Sequence, residues 1–194
     1  MNIIILGQDK NIINKVYHKC FETYDFFNEL PIMSKEDILS NSELVKDVRF
    51  IFSTWGMPSF EKEEIQMFFP HLEAIFYAAG TIESFENNFN QCGIKIFSAR
   101  DINGISVAEF TVAQIVLANK GYFQSQKKFN KLLPFSMKKA KKYSEIRTGN
   151  FESNIGIIGA GVIGKQVIHL LQNYQNKIYV YDPYVSYEQI ENIM

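Results

Sequence analysis

The sequence predicts an α/β protein in which a parallel-sheet domain precedes a shorter strand–helix–strand unit. Short β-branched apolar runs alternate with helical stretches through the first hundred residues. These runs are continuous rather than alternating in polarity, as in strands that are covered on both faces. A glycine-rich turn between two further apolar runs follows residue 150. We therefore expect domains at 1–100 and 151–194, joined by a helix and connector at 101–150.

The elements of the first domain follow from these runs. The predicted strands are 2–6, 48–53, 72–77 and 94–97. The predicted helices are 11–28, 35–45, 59–68 and 82–91. Ser34 and Ser59 stand where N-caps are expected, because a serine hydroxyl accepts a hydrogen bond from the free N–H groups of a first turn.

A long helix is predicted after this domain. Ser106 and Glu109 have the spacing of a capping box, which predicts a helix from Val107 to about Gln124. Apolar residues cover most of its circumference, so we expect it to be buried between two domains or in a subunit interface. The connector 127–150 is more polar and contains a basic run at 138–142.

The composition excludes several classes of partner. Twenty Lys and Arg nearly balance 21 Asp and Glu, so we interpret the basic run as a solvated helix face and expect no nucleic acid. No run of consecutive apolar residues reaches the ~18 of a membrane span. Cys20 and Cys92 have no partners at disulfide or metal-knuckle spacing. We expect a cytoplasmic protein with reduced thiols and no metal site.

The strand–helix–strand unit carries the most specific motif. Strands at 155–158 and 177–181 flank the turn Gly-Ala-Gly-Val-Ile-Gly and a helix to about Asn173. Gly159 suits the tight turn, Gly161 leaves room for a pyrophosphate, and Gly164 lets the helix pack closely. The helix N-terminus favours an anion. This is the pattern of a Rossmann dinucleotide-binding unit, although only its first part is present. The predicted cofactor-binding residues are Gly159, Ala160, Gly161, Val162, Ile163, Gly164, Asp182 and Pro183.

Asp182 predicts which dinucleotide binds. A carboxylate at the end of the second strand accepts hydrogen bonds from the adenosine ribose hydroxyls. The same carboxylate would repel the 2′-phosphate of NADP, and no Arg or Lys follows closely. We therefore predict NAD as the cofactor.

These motifs, in this order, resemble the NAD-dependent D-2-hydroxyacid dehydrogenase family. The resemblance covers the chain from Met1, and its specific motifs lie at 77–81, 106–109 and 155–182. It implies a flavodoxin-like substrate domain facing the cofactor domain across a cleft. It also implies a small 2-keto or 2-hydroxy acid as substrate and a homodimer in which the 107–124 region takes part.

The resemblance also implies a carboxylate-binding loop and a cleft wall. The family's Gly-x-Gly loop corresponds to 78–81, with Ala78 replacing its first glycine and Ile82 replacing an acidic residue. The backbone N–H groups of Ala79, Gly80 and Thr81 are the candidate substrate ligands. Trp55 is a candidate wall of the cleft, and packing in the core is its alternative role.

No catalytic residue is predicted within these 194 residues. The family's Arg and its His–carboxylate pair lie in the second half of the cofactor domain. His18, His71 and His169 are predicted to lack an acid beside them, and Arg49, Arg100 and Arg147 match no catalytic motif. The leading hypothesis is the N-terminal part of a D-2-hydroxyacid dehydrogenase, inactive alone. The alternatives are a non-catalytic nucleotide-binding or interaction protein, and an inactive remnant.

Overall fold

The computed structural model describes residues 2–129, 136–145 and 149–192 of the chain. Arg147, one of the arginines considered above, and Met194, the end of the predicted second domain, lie outside the described residues. The chain divides into two compact units, Met1–Arg100 and Asp101–Met194, and each is described by itself.

The first unit is built on a five-stranded parallel sheet. Its strands are β1 Ile3–Leu6, β2 Ile32–Met33, β3 Phe50–Ser53, β4 Ala74–Tyr77 and β5 Lys95–Ser98. They are arranged in the order β2-β1-β3-β4-β5, which is the flavodoxin-like order. Ile51 lies opposite Ile4 on one side and Ile75 on the other, and all three are fully buried. The predicted fold class of this part is confirmed.

Helices cover the sheet. They are α1 Lys10–Val16, α2 His18–Thr23, α3 Asp25–Asn28, α4 Lys35–Ser40, α5 Lys62–Phe68 and α6 Glu86–Gln91, with a 3₁₀ turn at Ser42–Val45. One sheet face packs a large cluster that includes Ile4, Ile65 and Phe89. The other face packs a smaller cluster around Ile5 and Tyr17. This second cluster places the Tyr17 hydroxyl where it donates to the carbonyl oxygen of Ser53, at 2.6 Å.

Three local predictions in this unit were wrong. The helix predicted at 11–28 is divided into α1, α2 and α3, because the backbone leaves the α region at Tyr17 and is extended at Tyr24. The helix predicted at 35–45 ends at Ser40 and continues only as the 3₁₀ turn. The strand β2 was not predicted, since two residues are too short to show a period.

The two predicted N-caps had opposite outcomes. Ser34 caps α4 as predicted, accepting from the Asp37 N–H while the Asp37 carboxylate accepts from the Ser34 N–H. Ser59 is not an N-cap, because α5 begins later and its N-cap is Glu61. The chain between them buries Phe60 in the core, which keeps this segment out of the helix.

The described residues of the second unit form a two-stranded parallel sheet and five helices. The helices are α7 Arg100–Asn119, α8 Tyr122–Phe129, α9 Ser136–Glu145, α10 Val162–Leu171 and α11 Tyr187–Glu191. The strands are β6 Asn154–Ile158 and β7 Lys177–Tyr181. Ile155 pairs with Ile178 and Ile157 with Val180, as expected for a βαβ unit. Ile155 forms a small core with Ala108 and Val112 of α7 and with Val167 and Leu171 of α10.

Helix α7 differs from its prediction in where it starts and ends, and much of it is exposed within this chain. It begins at Arg100, so Ser106 lies inside it, with its hydroxyl donating to the Asn103 carbonyl. The capping box at Ser106 and Glu109 was therefore wrong. Its buried residues are only Gly104, Ala108 and Val112, whereas Ile102 and Phe110 are exposed. The helix ends at Asn119 because Gly121, with a φ of +70°, turns the chain before α8.

The basic run 138–142 lies on α9. Lys138, Lys139, Lys141 and Lys142 are exposed, and Lys141 pairs with Glu145 one turn later. Among helices of the described residues, α7 has the length and hydropathy of a membrane-crossing helix. Core helices of soluble proteins meet the same criterion, so composition alone does not assign α7 to a membrane.

Candidate functional site

The glycine-rich turn connects β6 to α10 as the motif predicts. Gly159 follows β6 with a φ of +97°, a conformation that side chains rarely adopt. Its N–H donates to the Tyr181 carbonyl at the end of β7, at 2.8 Å. The chain then turns directly into α10, whose N-cap is Gly161. The turn is thus fixed to the tip of the second strand.

Gly161 and Gly164 differ in what surrounds them. A β-carbon on Gly161 would have no atom within 4 Å, so this face of the turn is open. A β-carbon on Gly164 would overlap the carbonyl oxygen of Gly159. Gly161 therefore leaves space for a ligand. Gly164 permits the close packing predicted for the helix, and the group it packs against is the backbone of the turn at Gly159.

The first turn of α10 offers free N–H groups. Lys165 is the first residue whose N–H bonds back, to the Gly161 carbonyl at 2.9 Å. No hydrogen bond among the described residues uses the N–H of Val162, Ile163 or Gly164. No side chain caps this end of the helix. Free N–H groups and the helix dipole together favour an anion here.

Asp182 lies beside this turn, immediately after β7. Its Oδ2 accepts from the Ala160 N–H at 2.6 Å, and its Oδ1 accepts from the Tyr184 N–H at 2.8 Å. The hydrogen bond from Ala160, followed by that from Tyr184, lowers the pKa of this carboxyl below its usual value. Asp182 is therefore ionised at neutral pH. Pro183, which is exposed, lies between Asp182 and Tyr184 in the sequence.

The predicted substrate loop follows β4 in the first unit. The Ala78 N–H donates to the Ser53 carbonyl at 2.8 Å, and the Thr54 hydroxyl donates to the Ala78 carbonyl at 3.3 Å. The Ser98 hydroxyl lies 3.1 Å from the Ala79 carbonyl and 2.6 Å from that of Gly80. Within the described chain, no hydrogen bond uses the N–H of Ala79, Gly80 or Thr81. These three N–H groups are thus available to a ligand.

Sequence reasoning did not identify Thr54 and Ser98. Each carries a hydroxyl at the carboxyl end of a strand. Thr54 follows β3 directly, Ser98 is the last residue of β5, and β4 lies between these two strands. A polar residue directly after an apolar strand was the available signal. It did not identify the partner, because the residues are 24 and 19 positions from the carbonyls they bond.

Trp55 lies in the turn that follows β3. The Met57 N–H donates to the Thr54 carbonyl at 3.1 Å, and Gly56 has a φ of +83°, which are the features of a type II turn. This turn leaves the Trp55 side chain 48% exposed. Trp55 is therefore a surface residue at the strand ends and not part of the core.

The histidines and arginines are at the surface. His18 lies 3.3 Å from Glu22 on α2, so the prediction that no histidine has a nearby acid was wrong for this residue. Both side chains are largely exposed, one helical turn apart. His71 and His169 are exposed, and Arg49 forms an ion pair with Glu73. The described residues contain no group of three or more metal-ligating side chains.

Comparisons with known proteins agree with this geometry. Residues 117–193 match the family model of the D-isomer specific 2-hydroxyacid dehydrogenase, NAD binding domain. This range contains the glycine-rich turn and Asp182. No curated protein matches the chain.

Solved structures with the same fold include several dehydrogenases. A phosphoglycerate oxidoreductase from Rhizobium etli is 18% identical, with a TM-score of 0.65, and the match covers 99% of this chain and 59% of that one. An NAD-dependent formate dehydrogenase from Staphylococcus aureus, in complex with NAD, is 18% identical, with a TM-score of 0.61 and coverages of 98% and 62%. The holo form of Rhodotorula graminis D-mandelate dehydrogenase is 11% identical, with a TM-score of 0.68 and coverages of 99% and 59%.

At these identities the structural matches establish the fold alone. The chain spans about three fifths of the length of the solved relatives. The predicted cofactor agrees with the matched domain family, which is an NAD-binding family. The resemblance predicted from the sequence is therefore confirmed: residues 117–193 match the NAD-binding domain of the D-2-hydroxyacid dehydrogenases.

Proposed function

We propose that this chain binds NAD(H) through Gly159–Gly164 and Asp182, as part of a dehydrogenase that interconverts small 2-keto and 2-hydroxy acids. The observation that carries the proposal is the Asp182 carboxylate, which backbone N–H groups of Ala160 and Tyr184 hold beside the open glycine turn. A carboxylate held there has lone pairs left for the two ribose hydroxyls. The negative charge of the Asp182 carboxylate would repel the 2′-phosphate of NADPH.

The turn and the helix account for the diphosphate. The N–H groups of Val162, Ile163 and Gly164 are free, and the open space at Gly161 lets a phosphate approach the backbone. When bound, NAD(H) supplies the hydride acceptor or donor of the reaction. The role of this chain is to bind and orient the adenosine and diphosphate half of the cofactor.

The first unit supports the choice of substrate class. The N–H groups of Gly80 and Thr81 would bind a carboxylate, and Trp55 supplies an exposed aromatic surface at the same edge of the sheet. Small 2-keto and 2-hydroxy acids carry such a carboxylate next to the reacting carbon. Hydride transfer further needs a proton donor, which we assign to a part of the dehydrogenase outside this sequence.

A non-catalytic nucleotide-binding protein is the second candidate. The observation in its favour is that His71 and His169 are solvent-exposed, and that the His18–Glu22 pair lies on a helix surface. None of these histidines has the buried, oriented carboxylate partner that a proton donor requires. Cofactor binding alone would then be the role of the glycine turn.

Calorimetric titration of NADH and NADPH tests the proposed cofactor site. We expect the unmodified chain to bind NADH more tightly than NADPH, and Asp182→Ala to remove this preference. Asp9→Ala is the matched control, since Asp9 also accepts backbone N–H bonds, at the start of α1 in the other unit. Tighter binding of NADPH by the unmodified chain would contradict the proposal.

A further inference from the structure

Four consecutive backbone carbonyls after β4 are bonded to the ends of the neighbouring strands. The Tyr77 carbonyl accepts from the Ala99 N–H at 3.0 Å, beyond β5. The Ala78 carbonyl accepts from the Thr54 hydroxyl, beyond β3. The Ala79 and Gly80 carbonyls share the Ser98 hydroxyl, at 3.1 and 2.6 Å. From Ala79 onward the loop is thus anchored through its oxygens, whereas Ala78 is also held through its N–H by the Ser53 carbonyl.

Anchoring the carbonyls determines where the N–H groups point. In a trans peptide the C=O of one residue and the N–H of the next are antiparallel. The described chain has no cis peptide bond. The peptide planes that Ser98 holds by their oxygens therefore direct the N–H groups of Gly80 and Thr81 away from Ser98. Thr54 holds the Ala78 carbonyl from the side of β3, so it directs the Ala79 N–H the other way, toward the side of β5.

This arrangement leaves three successive N–H groups free of the hydrogen bonds described for the chain. Ala79 is buried, Gly80 is half-buried and Thr81 is exposed, so the set extends from the sheet edge to the surface. The Gly80 and Thr81 N–H groups are both directed away from Ser98, and successive N–H groups directed to one side of a loop form a site for an anion. An anion site of this kind depends on the peptide planes being held before the ligand arrives.

We propose that Ser98 is a positioning residue for substrate, because its hydroxyl orients the Gly80 and Thr81 N–H groups toward a substrate carboxylate. The inference rests on the proposed function, since the carboxylate is that of a small 2-keto acid. Ser98 does not touch the substrate. It acts through the two peptide planes whose carbonyls it binds.

The test is an amide NMR titration of the 194-residue chain with pyruvate, and with the neutral pyruvamide for comparison. In the unmodified chain, pyruvate should shift the Gly80 and Thr81 amide signals in a saturable way, and pyruvamide should not. Ser98→Ala should weaken pyruvate binding about five- to tenfold, the effect of losing a net hydrogen bond of ordinary strength. Ser98→Thr keeps the hydroxyl and should restore most of the affinity.

Thr111→Ala is the matched control. The Thr111 hydroxyl also donates to a backbone carbonyl, that of Val107 at 2.7 Å, but it lies on α7 in the second unit. This variant should leave pyruvate binding unchanged. Equal pyruvate affinity in Ser98→Ala and the unmodified chain would overturn the inference, as would an absence of loop shifts in the unmodified chain. NADH titrated in the same samples reports separately on the proposed cofactor site.

Discussion

The carbonyl oxygen of Gly159 occupies the space that a β-carbon on Gly164 would need. The turn and the first turn of α10 are therefore in direct backbone contact. Any side chain at position 164 must push the turn and α10 apart. The clashing atom is a backbone oxygen, so the overlap cannot be relieved by a change of side-chain rotamer. Gly161, three residues earlier, has open space instead.

We expect Gly164→Ala to destabilise the second unit by about 1–3 kcal/mol, the range for forcing extra atoms into a packed site. Gly161→Ala is the paired variant. Its φ of −72° suits alanine, so its folding cost should stay below about 1 kcal/mol, whereas its new methyl group should obstruct the diphosphate. Urea unfolding and NADH titration of both variants separate the two effects. Equal stability losses would show that the two glycines are not distinguished in this way.

Asp182 predicts a pH dependence of stability. Its folded-state pKa is lowered, chiefly by the Ala160 N–H, so its contribution to stability is fully present above the unfolded-state pKa of about 3.9. The contribution is lost as the pH falls through the lower folded-state pKa. We expect Asp182→Asn to be less stable than the unmodified chain at pH 7, with a difference that shrinks as the pH falls below about 4. Chemical denaturation across this range measures it, and a difference that grows on acidification would have the wrong sign.

The glycine turn and Asp182 were predictable because the information is local. A positive φ, an open helix N-terminus and a strand-end carboxylate each follow from a residue type at a fixed spacing. The additional hydrogen bond from Tyr184 follows only from the backbone conformation at Pro183 and Tyr184.

The start of α7 was not predictable by the same reasoning. Ser106 and Glu109 fit a local capping signal, but tertiary packing overrides it. A β-carbon on Gly104 would lie 3.2 Å from Val162, and the Gln166 side chain donates to the Asp101 carbonyl at 3.1 Å. Contacts with α10 therefore support the first turns of α7. The hydroxyl anchors Thr54 and Ser98 were missed for a related reason, since their partners become neighbours only when the sheet forms.

We expect no dehydrogenase turnover from the 194-residue chain alone. General acid–base assistance contributes about 100- to 10,000-fold, and no described histidine has a partner that would fit it for this role. NADH consumption with glyoxylate or hydroxypyruvate, followed at 340 nm with freshly purified protein, checks this expectation. A sustained rate that follows the protein through a final size-exclusion step would contradict it.

We expect the chain to self-associate, because the second unit exposes several large apolar residues. Ile158 at the end of β6 is 87% exposed, and Ile102 and Phe110 on α7 are 73% and 66% exposed. The sheet has two strands, so each strand has one edge without a strand partner among the described residues. A two-stranded sheet is marginal by itself and gains stability from a further packing surface.

We therefore expect a dimer or larger assembly that covers α7 and the β6–β7 sheet. A stable interface buries ~800 Å² per partner, which a helix face and an adjoining sheet edge can supply together. Sedimentation velocity at micromolar concentration should show a concentration-dependent shift above the monomer. Phe110→Glu combined with Ile158→Lys should move the population toward monomer, because a charge at a buried contact is unfavourable. Leu39→Glu on α4 is the control, since Leu39 is also exposed, at 54%, but lies in the first unit. A compact monomer at all concentrations of the unmodified chain would exclude this assembly.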